Sequence, residues 1–465
     1  MRDLKPAGPQ EQVRAARPSA LGDQPYEQVL SRVQEGLSAS VLGSIEEVSE
    51  ADLKEKISRY LTENRIRCSL TADLAELTNY IYHDMAGYSF ITRDDLFNKP
   101  GFEEININAW NDVEVVSGGR SVKTDYTFLN PQHAVDIFVR MLRKTKTVLN
   151  DTTPRATADI GNGIRVIVEK TPIVDADVAI AASIRKVNMT TINKEALLET
   201  NCMLPEMLNF LLLCIKHCVS MCISGETGAG KTTLAGCLLA TASQTLRTYT
   251  IEEGSREWNF VRKDDGKVLN SVIHTRTRLN VDDPKLNIGQ EELIKDALRF
   301  DPTIIAPGEV RGRESFEVMG VSNTGHTVVT TTHSNSTLDT PERLVTLAKK
   351  AFDMSDNTLF GMVCRAFPIL VHMEKGPDQK RRVTEIREVL GYENGEIQSR
   401  LLYEFEVEDN VYKGDECVQV LGGFTHQAAI SPALAKWLLK KGATRAQLKP
   451  YTEQPEAQKD SQGVA

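Results

Sequence analysis

The stretch Gly225-Glu226-Thr227-Gly228-Ala229-Gly230-Lys231-Thr232-Thr233 combines three glycines, a lysine and hydroxyls in one short loop. It fits the spacing G-x-x-x-x-G-K-[ST] from Gly225 to Thr232. A polyphosphate needs several N–H groups aimed inward at once. Glycine permits the turns that side chains would block, and the amides then form a nest for the anion. Lys231 brings a point charge to the β- and γ-phosphates, and the Thr232 hydroxyl suits Mg²⁺. Residues 219–223 read as a short buried strand and 233–239 as a helix, whose positive end faces the same anion. A glycine-rich turn that matches by chance is the alternative; strand, loop and helix in that order argue against it.

Three later stretches narrow what is done with the phosphates. Residues 248–253 read as a strand ending in Glu252 and Glu253. At a strand's C-terminal end they face the crevice where α/β sheets bind ligands, either to position Mg²⁺ or to polarise water. A solvated acidic turn is the plain alternative. Residues 303–312 read as an apolar strand ending in one acid, Glu309, where a carboxylate orients water or holds Mg²⁺. Pro307 removes a ladder N–H and belongs at that strand's end. The third stretch is a β-branched strand bracketed by His326 and His333. His333 follows the strand and suits a γ-phosphate contact; a structural histidine is the alternative for either.

The elements that must position these groups follow from periodicity. From about 196 to 375 strands and helices alternate, which predicts an α/β domain with a mostly parallel sheet and helices on both faces. Before it, residues 101–195 read as an α+β domain, with strands at 104–108, 164–168 and 178–186 and a helix over 132–149. Residues 26–100 read as a three-helix module, one helix announced by Ser49 with Asp52 three residues on. Residues 1–25 read as a disordered arm and 452–465 as a polar tail. Ser431-Pro432 starts a last helix that Gly442 stops, within a C-terminal subregion ending at 451.

Composition excludes several classes. At net charge −9, a general adsorber of nucleic acid or anionic membrane is disfavoured. The 8 cysteines include no C-x-x-C pair, so neither a zinc site nor a redox motif is supported. No apolar run approaches a membrane span and no signal-peptide core is visible. These features together predict a cytoplasmic chain that meets a membrane only through partners.

The chain resembles the secretion "traffic" ATPases of type II and type IV systems, and most closely their tight-adherence pilus branch. Residues 225–233 resemble the family's phosphate loop, Thr250-Ile251-Glu252-Glu253 its aspartate box, residues 304–312 its Walker B segment, and residues 325–333 its histidine box. Ser183-Ile184-Arg185-Lys186 is similar to the end of the family's N-terminal domain. Glu253 stands where the family usually has Asp, and Ser334 where it usually has Ala. The resemblance implies a RecA-like core, ATP with Mg²⁺, and a hexameric ring acting on an inner-membrane platform protein to drive pilus assembly or protein export. It implies Glu309 as the water-activating base assisted by Glu252 and Glu253, metal contacts from Thr232 and Glu253, and a γ-phosphate sensor in His333. It further implies cations from the N-terminal domain or a neighbouring subunit, with Arg185 first and Arg165, Arg278 and Arg311 after it; His326 would lie with the nucleotide. A nucleic-acid motor or conjugative DNA-transfer ATPase on the same core is the alternative, disfavoured by the charge and by 6% aromatic content.

Overall fold

The computed structural model describes residues 23–41, 49–118, 120–143, 145, 147–186, 194–254, 256–278 and 284–454. The arm expected over 1–25 and the tail over 452–465 lie outside these, save 23–25 and 452–454. The chain divides into two units, Met1–Val187 and Asn188–Ala465.

In the first unit, helices α1 (Tyr26–Val41), α2 (Glu50–Glu63) and α3 (Leu74–Met85) bury one apolar face each. Val29, Val33, Ile57, Leu61 and Ile81 meet in their shared core. Ser49 caps α2 by accepting the Asp52 N–H, and Asp73 caps α3 by accepting from Ala75 and Glu76, which satisfies donors a helix start leaves free. A short α4 (Phe90–Arg93) precedes a sheet of β1 (Phe102–Ala109), β2 (Asp112–Ser117), β3 (Arg120–Lys123), β4 (Arg155–Asp159), β5 (Ile164–Lys170) and β6 (Ile180–Lys186). Its order is β3-β2-β1-β6-β5-β4, antiparallel throughout. Helix α5 (Pro131–Arg143) lays Ile137, Phe138, Met141 and Leu142 into the same core as Ile105, Val166 and Ile184. This helix stops six residues short of the expected end at Leu149. The Thr145 hydroxyl bonds back to the Leu142 carbonyl at 2.6 Å and accepts the Thr147 N–H at 3.3 Å. Such local bonds offer the backbone an alternative to the helix.

The second unit opens with α6 (Lys194–Glu199) and α7 (Pro205–Lys216). Then β7 (Met221–Gly225), the phosphate loop and α8 (Lys231–Ala242) follow directly. Next come β8 (Thr248–Glu252), the two-residue β9 (Lys263–Asp264) and β10 (Lys267–Val268), β11 (Val272–Arg276), α9 (Gln290–Ala297) and β12 (Ile304–Pro307). Helix α10 (Ser315–Asn323), β13 (Thr327–Thr332), α11 (Asp339–Ala348), α12 (Asp356–Ala366) and β14 (Ile369–Lys375) complete the alternation.

Among the described residues the sheet runs β11-β8-β12-β13-β7-β14, all parallel. The strand feeding the phosphate loop and the one ending near Glu309 are thus separated by β13 alone, within a RecA-like core. Burial on both faces explains why these strands read as continuous apolar or β-branched runs: β7, β8, β12 and β13 are buried along their whole length. Two cores flank the sheet, one built on α7 and α8, the other on α9 to α12.

The periodicity reading assigns no strands between Lys375 and Ser431, yet three lie there. They are β15 (Arg381–Glu393), β16 (Glu396–Lys413) and β17 (Glu416–His426), added antiparallel beyond β14. Asn394-Gly395 turns the first hairpin with φ of 55° and 85°; that dipeptide suits a tight hairpin because both residues tolerate positive φ. The chain closes with α13 (Pro432–Lys440), capped by Ser431, and α14 (Arg445–Thr452). No helix among the described residues is long and apolar enough to cross a membrane.

Candidate functional site

In a parallel sheet all C-terminal strand ends share one edge, so chemistry collects there. Lys231 is buried at the start of α8. Its Nζ donates to the carbonyls of Gly225 at 2.9 Å and Glu226 at 2.7 Å. Burial holds its pKa below the usual lysine value. His333, one residue past β13, lies with Nδ1 3.4 Å from Lys231 Nζ and Nε2 3.1 Å from Glu309 Oε1. Ammonium donation at Nδ1 leaves the ring proton on Nε2, facing the carboxylate. Burial first, and the Lys231 charge second, lower the His333 pKa, which keeps that neutral form. The other Glu309 oxygen sits 3.6 Å from Arg311 Nη2, and Arg311 also pairs closely with Glu253. Lysine, histidine, base candidate and second acid therefore form one continuous chain of contacts.

The hydroxyls of β13 hold Glu309 in place. Thr331 Oγ1 donates to the Gly308 carbonyl and Thr332 Oγ1 to the Val310 carbonyl, each at 2.8 Å. The Val310 N–H returns a bond to the Thr331 carbonyl. The backbone is thus pinned on both sides of Glu309, and His333 and Arg311 hold its two carboxylate oxygens, a preorganisation that suits a general base. Glu314 fastens the next turn by accepting the Arg311 and Gly312 N–H groups.

Glu252 and Glu253 have different surroundings. Glu253 is partly solvated and tied to Arg311. Glu252 is buried; its Oε1 accepts the N–H groups of Glu257 at 2.6 Å and Trp258 at 2.8 Å, while Oε2 has no hydrogen-bond partner among the described residues. Burial pushes its carboxyl up to about 7, against the two amide bonds. These bonds fold the following segment back over the phosphate helix, where the Trp258 indole N–H donates to the Thr232 carbonyl at 3.0 Å. Trp258 also fills the space over Gly236, at 3.2 Å from where a Cβ would stand. The sequence reading does not single out Trp258; no local period marks it, because its partners are 22 and 26 residues away along the chain.

His274 anchors the far side of that segment. Its Nδ1 meets Thr250 Oγ1 at 2.8 Å and its Nε2 accepts the Phe260 N–H at 3.2 Å. Burial lowers its pKa to about 4. The unfolded chain, with histidine near 6.5, binds the extra proton between those values, so stability is lost as pH falls from about 6.5 towards 4. The shift corresponds to at most about 3 kcal/mol, less here because part of the ring meets solvent. Thermal melts of the wild type and His274→Gln should show the wild type ahead at pH 7 and the gap closing by pH 4.5. A gap constant with pH would disprove the neutral, buried form.

Not every expected residue joins the constellation. His326 sits at the start of β13, bonded to the Pro302 carbonyl. A six-residue strand separates it from His333, roughly 20 Å of extended chain. It therefore lies at the edge of the sheet opposite the phosphate loop, and the expected nucleotide contact is corrected to a structural bond. Arg278 is exposed, its backbone bridged to Ile288. Arg165 and Arg185 belong to the first unit, where they stand opposite each other on β5 and β6; Arg165 Nε is buried with no hydrogen-bond partner among the described residues.

Mg²⁺ and a nucleotide fit this donor set. Gly228 has φ of 81° and nothing within 4 Å of where a Cβ would stand, an open approach to the backbone. The Thr232 hydroxyl and the Glu253 and Glu309 carboxylates supply hard oxygen donors, the chemistry Mg²⁺ prefers. Bound there, the cation would neutralise charge on the phosphates.

Residues 154–385 match the family model described as "Type II/IV secretion system protein". The chain is 28% identical over 194 residues to the conjugal transfer protein TrbB of Rhizobium radiobacter, covering 42% of this chain and 55% of that protein. It is 28% identical over 189 residues to the type IV secretion system protein VirB11 of Bartonella quintana, covering 39% and 49%. The chain spans about half the length of these curated relatives. Among solved structures, the ATPase DotB of Legionella pneumophila aligns at 19% identity with a TM-score of 0.44, covering 63% of this chain and 78% of that one.

Proposed function

Because the chain belongs to the type II/IV secretion system protein family, we propose that it is a Mg²⁺-dependent ATPase that powers pilus assembly or protein export. The observation that carries the reading is the unbroken run from Lys231 through His333 to Glu309 and Arg311. It joins a phosphate-gripping cation to a preorganised carboxylate across the sheet edge. In this reading the loop amides and Lys231 hold the triphosphate, and Thr232 and Glu253 hold Mg²⁺. Glu309 takes a proton from the attacking water, and His333, between base and phosphate, senses whether the γ-phosphate is present. The working form is a homo-oligomeric ring, proposed as a hexamer, at the inner face of the cytoplasmic membrane and docked on a platform protein. The tight-adherence pilus branch is the proposed subfamily, on the residues that resemble it.

The test is phosphate release by the purified full chain with Mg²⁺ and ATP, with EDTA and Lys231→Ala as controls. Mg²⁺-dependent release that Lys231→Ala removes supports the reading; no release and no ATP binding by any oligomer would overturn it. A second reading, a conjugative DNA-transfer ATPase, is favoured by relatives named as conjugal transfer proteins. Stimulation of turnover by single-stranded DNA, lost at high salt, would select it.

A further inference from the structure

The phosphate loop has a second cation beside it, delivered from the antiparallel part of the sheet. Arg381 opens β15. Its Nε donates to the Gly228 carbonyl at 2.7 Å. Its Cδ lies 3.3 Å from where a Cβ on Gly230 would stand. The side chain therefore runs along the loop from Gly230 to Gly228, although Arg381 and Gly228 lie 153 positions apart in the sequence. The guanidinium is exposed, and among the described residues its two Nη groups have neither a hydrogen bond nor a carboxylate.

Strand alternation explains how Arg381 is aimed. Its neighbour Arg382 points inward, is buried, and makes two bonds to Asp378 at 2.9 and 2.6 Å. Asp378 also accepts the Val420 N–H from β17. That buried pair anchors the turn between β14 and β15, and pleating then sends Arg381 to the opposite face. Here the charge meets one neutral carbonyl, and the planar fork of Nη groups is left over, a shape that matches paired phosphate oxygens.

We propose that Arg381 is a phosphate-contacting residue of the nucleotide site: Nε braces the loop through Gly228 while the Nη fork binds the phosphate chain of the nucleoside triphosphate. This rests on the ATPase reading above. It adds to Lys231 a cation that enters from outside the loop–helix unit, so nucleotide affinity also depends on how β15 is seated.

Binding of Mg²⁺-ATP and Mg²⁺-ADP to the full chain, measured by calorimetry at two salt concentrations, tests it. Arg381→Ala should weaken both nucleotides by about 10- to 100-fold and flatten the salt dependence. Arg381→Lys should recover part of the loss. Arg381→Gln retains a donor for the Gly228 carbonyl but no charge, and should bind as poorly as Arg381→Ala. Wild-type affinity in Arg381→Gln would reduce the residue to a structural brace and overturn the proposal. If Lys231→Ala loses nucleotide while Arg381→Ala does not, this proposal fails alone. If the wild type binds no nucleotide, both readings fall.

Discussion

Glu309→Gln should bind Mg²⁺-ATP about as well as the wild type and turn it over roughly 10²- to 10⁴-fold more slowly. The substitution is nearly isosteric. The amide oxygen still accepts from His333 Nε2, now 3.1 Å from the carboxylate, so the contact with the phosphate lysine survives. What disappears is the proton acceptor and the negative charge facing Arg311. Glu252 is a poor substitute, because burial leaves its carboxyl only part ionised near neutrality. Glu253 is engaged with Arg311. Turnover and equilibrium binding must be measured on the same assembled protein, since a loss confined to kcat marks a group acting in the transition state. Near-wild-type turnover would remove Glu309 as the base and move the search to Glu253. His333→Asn should cost less, since it disturbs the orientation of the carboxylate and leaves its charge.

The parts of this site legible in the sequence are those with local causes. The phosphate loop is a contiguous motif, and Glu309 follows an apolar strand that Pro307 terminates, as the β12 boundary shows. Ser49 and Ser431 cap their helices through bonds to residues three positions on. Where the cause is distant, the reading fails. His326 and His333 look equivalent as flanks of one strand, but a strand has two ends and a parallel sheet places ligands at only one. The meander from β15 to β17 escapes because its strands are partly exposed and mix charges with apolar residues; Asn394-Gly395 was the available signal. Trp258 and Arg381 reach the loop only after the sheet has assembled, so nothing in their immediate neighbours marks them. Arg381 sits in a run of three cations, and which of them faces the loop depends on the register of β15 against β14.

Gly225→Ala and Gly228→Ala should separate folding from binding within one loop. Gly225 ends β7 with φ of 143°, and a Cβ there would stand 2.0 Å from the Met373 carbonyl oxygen. Met373 is its register partner on β14, so relief requires moving backbone in a sheet buried on both faces. A clash of that kind belongs with the most damaging core substitutions, about 4 kcal/mol or more, a fall in Tm of roughly 10 °C for a unit of this size. Gly228 has φ of 81° with open space around its missing Cβ, so alanine costs only the left-handed backbone, about 1–2 kcal/mol. The open side of Gly228 is where phosphate would approach the amides, and a methyl group there obstructs it. Gly225→Ala should therefore melt early, and Gly228→Ala should melt near the wild type while losing most nucleotide affinity. If Gly228→Ala kept full affinity, the phosphate would have to approach from another side of the loop. The position of Arg381, which braces that carbonyl, would then need a different explanation.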